Sequence, residues 1–144
     1  MESFLAALLN GLEIGLLLFV IAVGLNIIFG VLGVINFAHG GLYMLGAYLT
    51  YTLVSRGGLP FWPALLLAPL AVAILAIVLE RLVLRHVYGR HVTDSLLLTF
   101  ALLLIIDYAG RMIWGSGIQV VTPPPGTRGA TSALGFSYPV YSFF

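Results

Sequence analysis

Long apolar stretches that carry no charged side chain dominate the pattern along this chain. They cover residues 16–29, 42–54, 62–79 and 96–106. About 20 apolar residues of helix cross the roughly 30 Å of hydrocarbon in a bilayer. The pattern therefore predicts an all-α fold, a polytopic transmembrane helical bundle of about four to five spans. We expect the spans near 4–29, 34–54, 61–79 and 94–111, with the start of another at 136–144.

A break is predicted inside the first apolar block. As one continuous helix, residues 4–54 would be roughly 76 Å long, more than two crossings of a bilayer. Glycines and polar side chains concentrate between Gly30 and Gly41, where the chain reads GVLGVINFAHGG. Glycine permits such a break at the lowest steric cost, so we place a broken segment near 30–41.

The segments between the predicted spans have the composition of loops. Residues 55–60 contain paired glycines and a proline, and residues 80–91 contain three arginines, which favours the cytoplasmic side for that loop. Residues 93–95 (Thr-Asp-Ser) offer side-chain acceptors for the start of the fourth helix. Three prolines at 123–125 exclude a helix there, so alternation places that loop on the opposite side.

Composition supports a membrane protein and excludes several kinds of chemistry. Hydrophobic residues make up 61% of the 144 residues and charged residues 8%, against roughly 45–50% and about 25% in soluble domains. A net charge of +1 gives no field that would attract nucleic acid. The chain has no cysteine for thiolate chemistry and no lysine for a phosphate-binding loop. We therefore expect no catalytic residue, no metal and no cofactor.

The segment from Gly30 to Tyr48, GVLGVINFAHGGLYMLGAY, closely resembles the signature of the branched-chain amino acid ABC transporter permeases. Residues 11–15 and 23–30 look like the first helix of that family. Residues 79–85 look like the basic end of its next hairpin, so the resemblance covers nearly the whole chain.

This resemblance implies a multi-pass subunit of the inner (plasma) membrane. Its partners would be a second related permease subunit, two cytoplasmic ATPase subunits that hydrolyse the ATP, and an extracytoplasmic solute-binding protein. Members of the family are roughly twice this length, so residues 1–144 would be a single membrane domain, the N-terminal half of a longer permease.

The implied function is that of the membrane-spanning permease subunit of an ABC importer for branched-chain amino acids or similar small polar solutes. Close relatives handle urea or short amides. A small-solute channel and a non-transporting truncated fragment remain as alternatives. A membrane enzyme is disfavoured, because the chain lacks HExxH, GxSxG or a cluster of carboxylates and histidines.

Polar residues after the break are the candidates for a translocation path. If this segment is helical, Asn36, His39, Tyr43 and Thr50 lie on one face, beside Gly40 and Gly41 of the break. A polar stripe in hydrocarbon turns towards a cavity, a path or another helix. Both a path or gate and interhelical hydrogen bonding satisfy this requirement. A lone histidine makes neither a proton relay nor a metal site.

Glycines at helical spacing are candidates for close helix packing. Gly30 and Gly33 continue the spacing to Gly40, and Gly11-xxx-Gly15 has the same small-residue character. Packing and substrate passage are both open for the first group. Near the end of the fourth span, Asp107 and Arg111 are one turn apart, which predicts a local ion pair.

Overall fold

A computed structural model of the chain describes residues 2–124, 126–127, 129–133 and 136–139. Within these residues the chain forms a bundle of α-helices followed by a small β-hairpin. The elements are α1 (Glu2–Leu32), α2 (Ala38–Tyr51), a π-helical turn (Thr52–Arg56), α3 (Phe61–Leu82), a 3₁₀ turn (Leu84–His86), α4 (Val92–Trp114), β1 (Ala130–Ala133) and β2 (Phe136–Pro139).

Three segments of the described chain are helical, long and apolar enough to cross a membrane. They are Phe4–Leu32, Phe61–His86 and Val92–Trp114, so the all-α membrane fold is confirmed. The predicted span at 34–54 begins later than expected, because α2 starts at Ala38, and the π-helical turn continues its helical segment to Arg56. The glycine-rich break takes up the residues that would have lengthened it.

The C-terminal apolar segment differs from the sequence prediction. Residues Phe136–Pro139 form strand β2, antiparallel to β1 with Ala130 opposite Pro139. Where the sequence suggested the start of another helix, these four residues are extended. Pairing with β1 satisfies backbone groups that a helix would otherwise satisfy. Residues 140–144 lie outside the described residues.

Helix α2 lies between α3 and α4 and forms the core with them. Ala38 of α2 is buried with Leu102 and Ile106 of α4, and Leu42, Met44, Leu45, Leu79, Val83 and Leu84 pack around these three. Small side chains on α3, Ala64 and Ala68, are fully buried. They let neighbouring backbones approach closely, as is common in membrane bundles.

The start of α4 is not capped as predicted. The helix begins at Val92 after His91, and no side chain caps it. Thr93, Asp94 and Ser95 lie inside its first turns. Asp94 still places a negative charge near the helix N-terminus, where the helix dipole favours it.

The predicted loops before and after α3 lie at its opposite ends. Residues 57–60 turn before α3 begins at Phe61, and Gly58 adopts the left-handed conformation there, with φ of 67°. Helix α3 has 22 residues and is about 33 Å long. The arginine-bearing loop that follows α3 is therefore at the far end of the bundle.

Candidate functional site

The break falls inside the predicted glycine-rich segment. Helix α1 ends at Leu32, and Gly33 follows in the left-handed conformation with φ of 66°. Its N–H donates to the Phe29 carbonyl at 2.8 Å. A left-handed glycine directly after a helix is a common helix terminator. Residues 33–37 are then non-helical, and α2 starts at Ala38.

Asn36 supports the backbone of the break. Its Oδ1 accepts a hydrogen bond from the Ala38 N–H at 3.0 Å, and the residue is 8% exposed. The Asn36 carbonyl accepts from the His39 N–H at 3.1 Å. Asn36 precedes the first residue of α2, so it does not share a helical face with His39 and Tyr43 as the sequence pattern suggested.

A threonine of α4 supports the other side of the break. The buried Thr99 hydroxyl lies 3.2 Å from the Ile35 carbonyl and 2.9 Å from that of Ser95, both acceptors for its proton. Thr99 is seven residues into α4, about 10 Å along the helix. Phe37 and Phe100 add an edge-to-face contact with centroids 6.2 Å apart. The break therefore lies within the bundle and not at its end.

His39 is directed towards α1. A Cβ placed on Gly24 of α1 would lie 2.8 Å from the His39 Nε2, so a larger residue at this position would displace the imidazole from where it lies. Helices α1 and α2 therefore meet at Gly24 through the His39 side chain. Within the described residues, no three His, Asp or Glu side chains come together in a way that would hold a metal.

The two glycines of the signature have different surroundings. At Gly41 an added Cβ would lie 3.1 Å from the Ile106 Cγ2 and 3.3 Å from the Leu103 Cδ1, so Gly41 packs on α4. At Gly40 nothing lies within 4 Å. Tyr43, one turn further on, is 48% exposed. Helix α2 thus has a packed face and an open face.

An aromatic contact fixes the far end of α2 against α4. The rings of Tyr48 and Trp114 stack with centroids 4.9 Å apart, and the Trp114 indole N–H donates to the Thr52 Oγ1 at 2.7 Å. Gly110 admits Met44 and Tyr48 at the same interface. Thr50 donates to the Gly46 carbonyl at 2.9 Å, so its hydroxyl is used within the helix.

The remaining candidates from the sequence are an ion pair on α4 and three glycines of α1. Asp107 and Arg111 form the predicted ion pair at 3.0 Å. Gly11, Gly15 and Gly30 of α1 have nothing within 4 Å of an added Cβ. Close helix packing at these three positions stays a prediction.

The fold and this site define a multi-pass membrane protein with a broken helical segment at its centre. The family model described as branched-chain amino acid transport system / permease component matches residues 7–142. The chain belongs to this family. It is accordingly a multi-pass protein of the inner membrane.

Among curated proteins, the chain is similar to the high-affinity branched-chain amino acid transport system permease protein BraD of Pseudomonas aeruginosa. The two are 40% identical over 75 residues, which is 50% of this chain and 24% of that protein. It is 38% identical over 52 residues to the LivH permease proteins of Escherichia coli and Salmonella typhimurium, which is 36% of this chain and 17% of each of those. No solved structure matches the chain.

Proposed function

We propose that this chain supplies part of the membrane pathway of an ATP-driven importer for branched-chain amino acids or similar small polar solutes. The family and the names of the relatives support this proposal. The single observation that carries the proposal is the broken segment before α2. The helices around this segment leave one face of α2 open.

The sides of α2 are occupied unequally. His39 faces α1 at Gly24, and Gly41 packs on α4. A Cβ added at Gly46 would lie 3.9 Å from the Cγ2 of Val72 on α3. The face that carries Gly40 and Tyr43 is open. A Cβ added at Gly40 would have nothing within 4 Å, and Tyr43 is exposed. A face with a glycine notch and a phenol hydroxyl suits the passage of a small polar solute.

The start of α2 adds an electrostatic reason. A helix N-terminus carries a partial positive charge, and broken helices in transporters use it to attract anionic groups of the solute. An amino acid carries a carboxylate that such an end attracts. Gly40, in the first turn of α2, leaves space for the solute to approach this end.

In this proposal, the energy for transport comes from ATP hydrolysis on partner subunits. The chain has no lysine, and so no phosphate-binding loop of the GxxxxGK[ST] type. We place ATP hydrolysis on two cytoplasmic ATPase subunits, and solute delivery on an extracytoplasmic solute-binding protein. A second related permease subunit completes the pathway.

Uptake by the complete transporter in proteoliposomes tests this proposal. We expect accumulation of radiolabelled leucine only when ATP is inside with the ATPase subunits and the solute-binding protein is outside. A non-hydrolysable ATP analogue is the control, and it should reduce uptake to the level of empty liposomes. Equal downhill flux of leucine or urea without nucleotide would instead identify a channel and overturn the importer.

A further inference from the structure

Three arginines at one end of the bundle have no carboxylate partner in the described part of the chain. Arg81 is in the last turn of α3, Arg85 is in the 3₁₀ turn, and Arg90 precedes α4. All three are exposed. The ion pair that the described residues do form, Asp107 with Arg111, lies in the last turns of α4.

The loop that carries these arginines is folded onto the bundle by its apolar side chains. Val83 and Leu84 pack against the core. Tyr88 is half-buried, and burial raises the pKa of its phenol above the ordinary value, with the Glu80 carboxylate raising it further. Glu80 is therefore near Tyr88, and it forms no ion pair with the arginines. The three arginines are therefore exposed and form no ion pair with a carboxylate in the described part of the chain.

The position of the arginines matches the headgroup layer of a membrane. Helix α3 is about 33 Å long and α4 has 23 residues, so the loop between them is where both helices leave the hydrocarbon. Leu82, between Arg81 and Arg85, is 69% exposed, and Val92, two residues after Arg90, is 58% exposed. A ligand that meets both sets of residues needs an anionic group joined to an apolar body.

We propose that Arg81, Arg85 and Arg90 form a binding site for anionic phospholipid, with the guanidinium groups on the headgroup phosphate and the acyl chains along Leu82 and Val92. Guanidinium groups bind phosphate oxygens through paired N–H donors. Arginine side chains also reach from a helix end into the headgroup layer. The inference is independent of which solute the protein carries.

Native mass spectrometry of the assembled transporter tests the site directly. The complex is equilibrated in mixed micelles of equimolar phosphatidylglycerol and phosphatidylcholine, and the lipids that it retains are counted. We expect Arg81→Gln, Arg85→Gln and Arg90→Gln together to lower the ratio of retained phosphatidylglycerol to phosphatidylcholine about tenfold, because each arginine near an anionic surface contributes severalfold. Lysine at the three positions keeps the charge but not the paired donors, so only part of the preference should return.

Arg56→Gln is the matched control, since Arg56 is an exposed arginine at the other end of the bundle. It should leave the lipid ratio unchanged. An unchanged ratio in the triple glutamine variant would overturn the site and indicate that the arginines meet protein carboxylates instead. Displacement of the lipid by an equal concentration of inorganic phosphate would identify a free-phosphate site and also overturn the proposal. If the triple variant does not assemble, the single variant Arg85→Gln is measured instead. It should lower the ratio of retained phosphatidylglycerol to phosphatidylcholine at least about twofold, and an unchanged ratio would overturn the site.

Discussion

In the complete transporter, Gly40→Leu is expected to lower uptake at least about tenfold, the loss that ~1.4 kcal/mol added to the barrier produces. A Cβ added at Gly40 meets nothing within 4 Å, so a side chain that starts there enters open space beside the helix. It fills the open face of α2 beside Tyr43. Uptake is measured in proteoliposomes and normalised to assembled complex, which should form normally.

Gly41→Leu provides the contrast within the same signature. Its Cβ would press on Ile106 and Leu103, and overpacking of this kind costs about 1–3 kcal/mol. This variant should therefore lose assembly as well as uptake. Ala73→Leu on the exposed side of α3 is the control for added bulk and should leave both unchanged. Full uptake in Gly40→Leu would show that the open face is ordinary lipid-facing helix.

Asn36→Leu is expected to destabilise the folded protein by roughly 1–3 kcal/mol, because it leaves the buried Ala38 N–H without its acceptor. Uptake per folded molecule should fall much less, since Asn36 is buried under the break and does not lie on the open face. The measurement is the midpoint of denaturant unfolding in detergent.

Asn26→Leu is the matched control for this change. Asn26 is exposed on α1, so the same substitution there should shift the midpoint little. Equal shifts for the two variants would contradict the role of Asn36 as the support of the break. Near-complete loss of uptake in a stable Asn36→Leu protein would place Asn36 in the path instead.

The helices and the break were predictable from local sequence. Runs without charge decide which segments enter a membrane, and the spans near 61–79 and 94–111 correspond to α3 and α4. The break was predictable because residues 4–54 exceed two crossings and the glycines lie near the middle. Gly33 does end α1, with a left-handed backbone that glycine adopts readily.

The contacts that hold the break were not predictable from sequence. Thr99 is the lone polar residue in an apolar run, and its isolation was the one available signal of a buried partner. Gly24 is inconspicuous in the sequence of α1. Its lack of a side chain matters because the imidazole of His39, which is distant in sequence, lies against it. Such pairings depend on tertiary packing, which no local pattern specifies.

The predicted polar stripe does not form a single helical face, and the reason is where α2 begins. Helical spacing places Asn36 and His39 on one face only if the helix already includes Asn36, whereas α2 begins at Ala38. The asparagine side chain bonds the backbone two residues on, which is a typical alternative to helix for this residue. His39 then turns to α1, and of the stripe Tyr43 is the member on the open face.

Cysteine accessibility at Tyr43 tests the central claim, that the open face of α2 lines the solute path. The chain has no native cysteine, so Tyr43→Cys in the complete transporter is the reporter. Ala68→Cys, at a fully buried position on α3, is the unreactive control. We expect a charged thiol reagent to modify Tyr43→Cys and block uptake, and excess free leucine to slow the modification. Modification that leaves uptake intact and is unaffected by leucine would contradict the account.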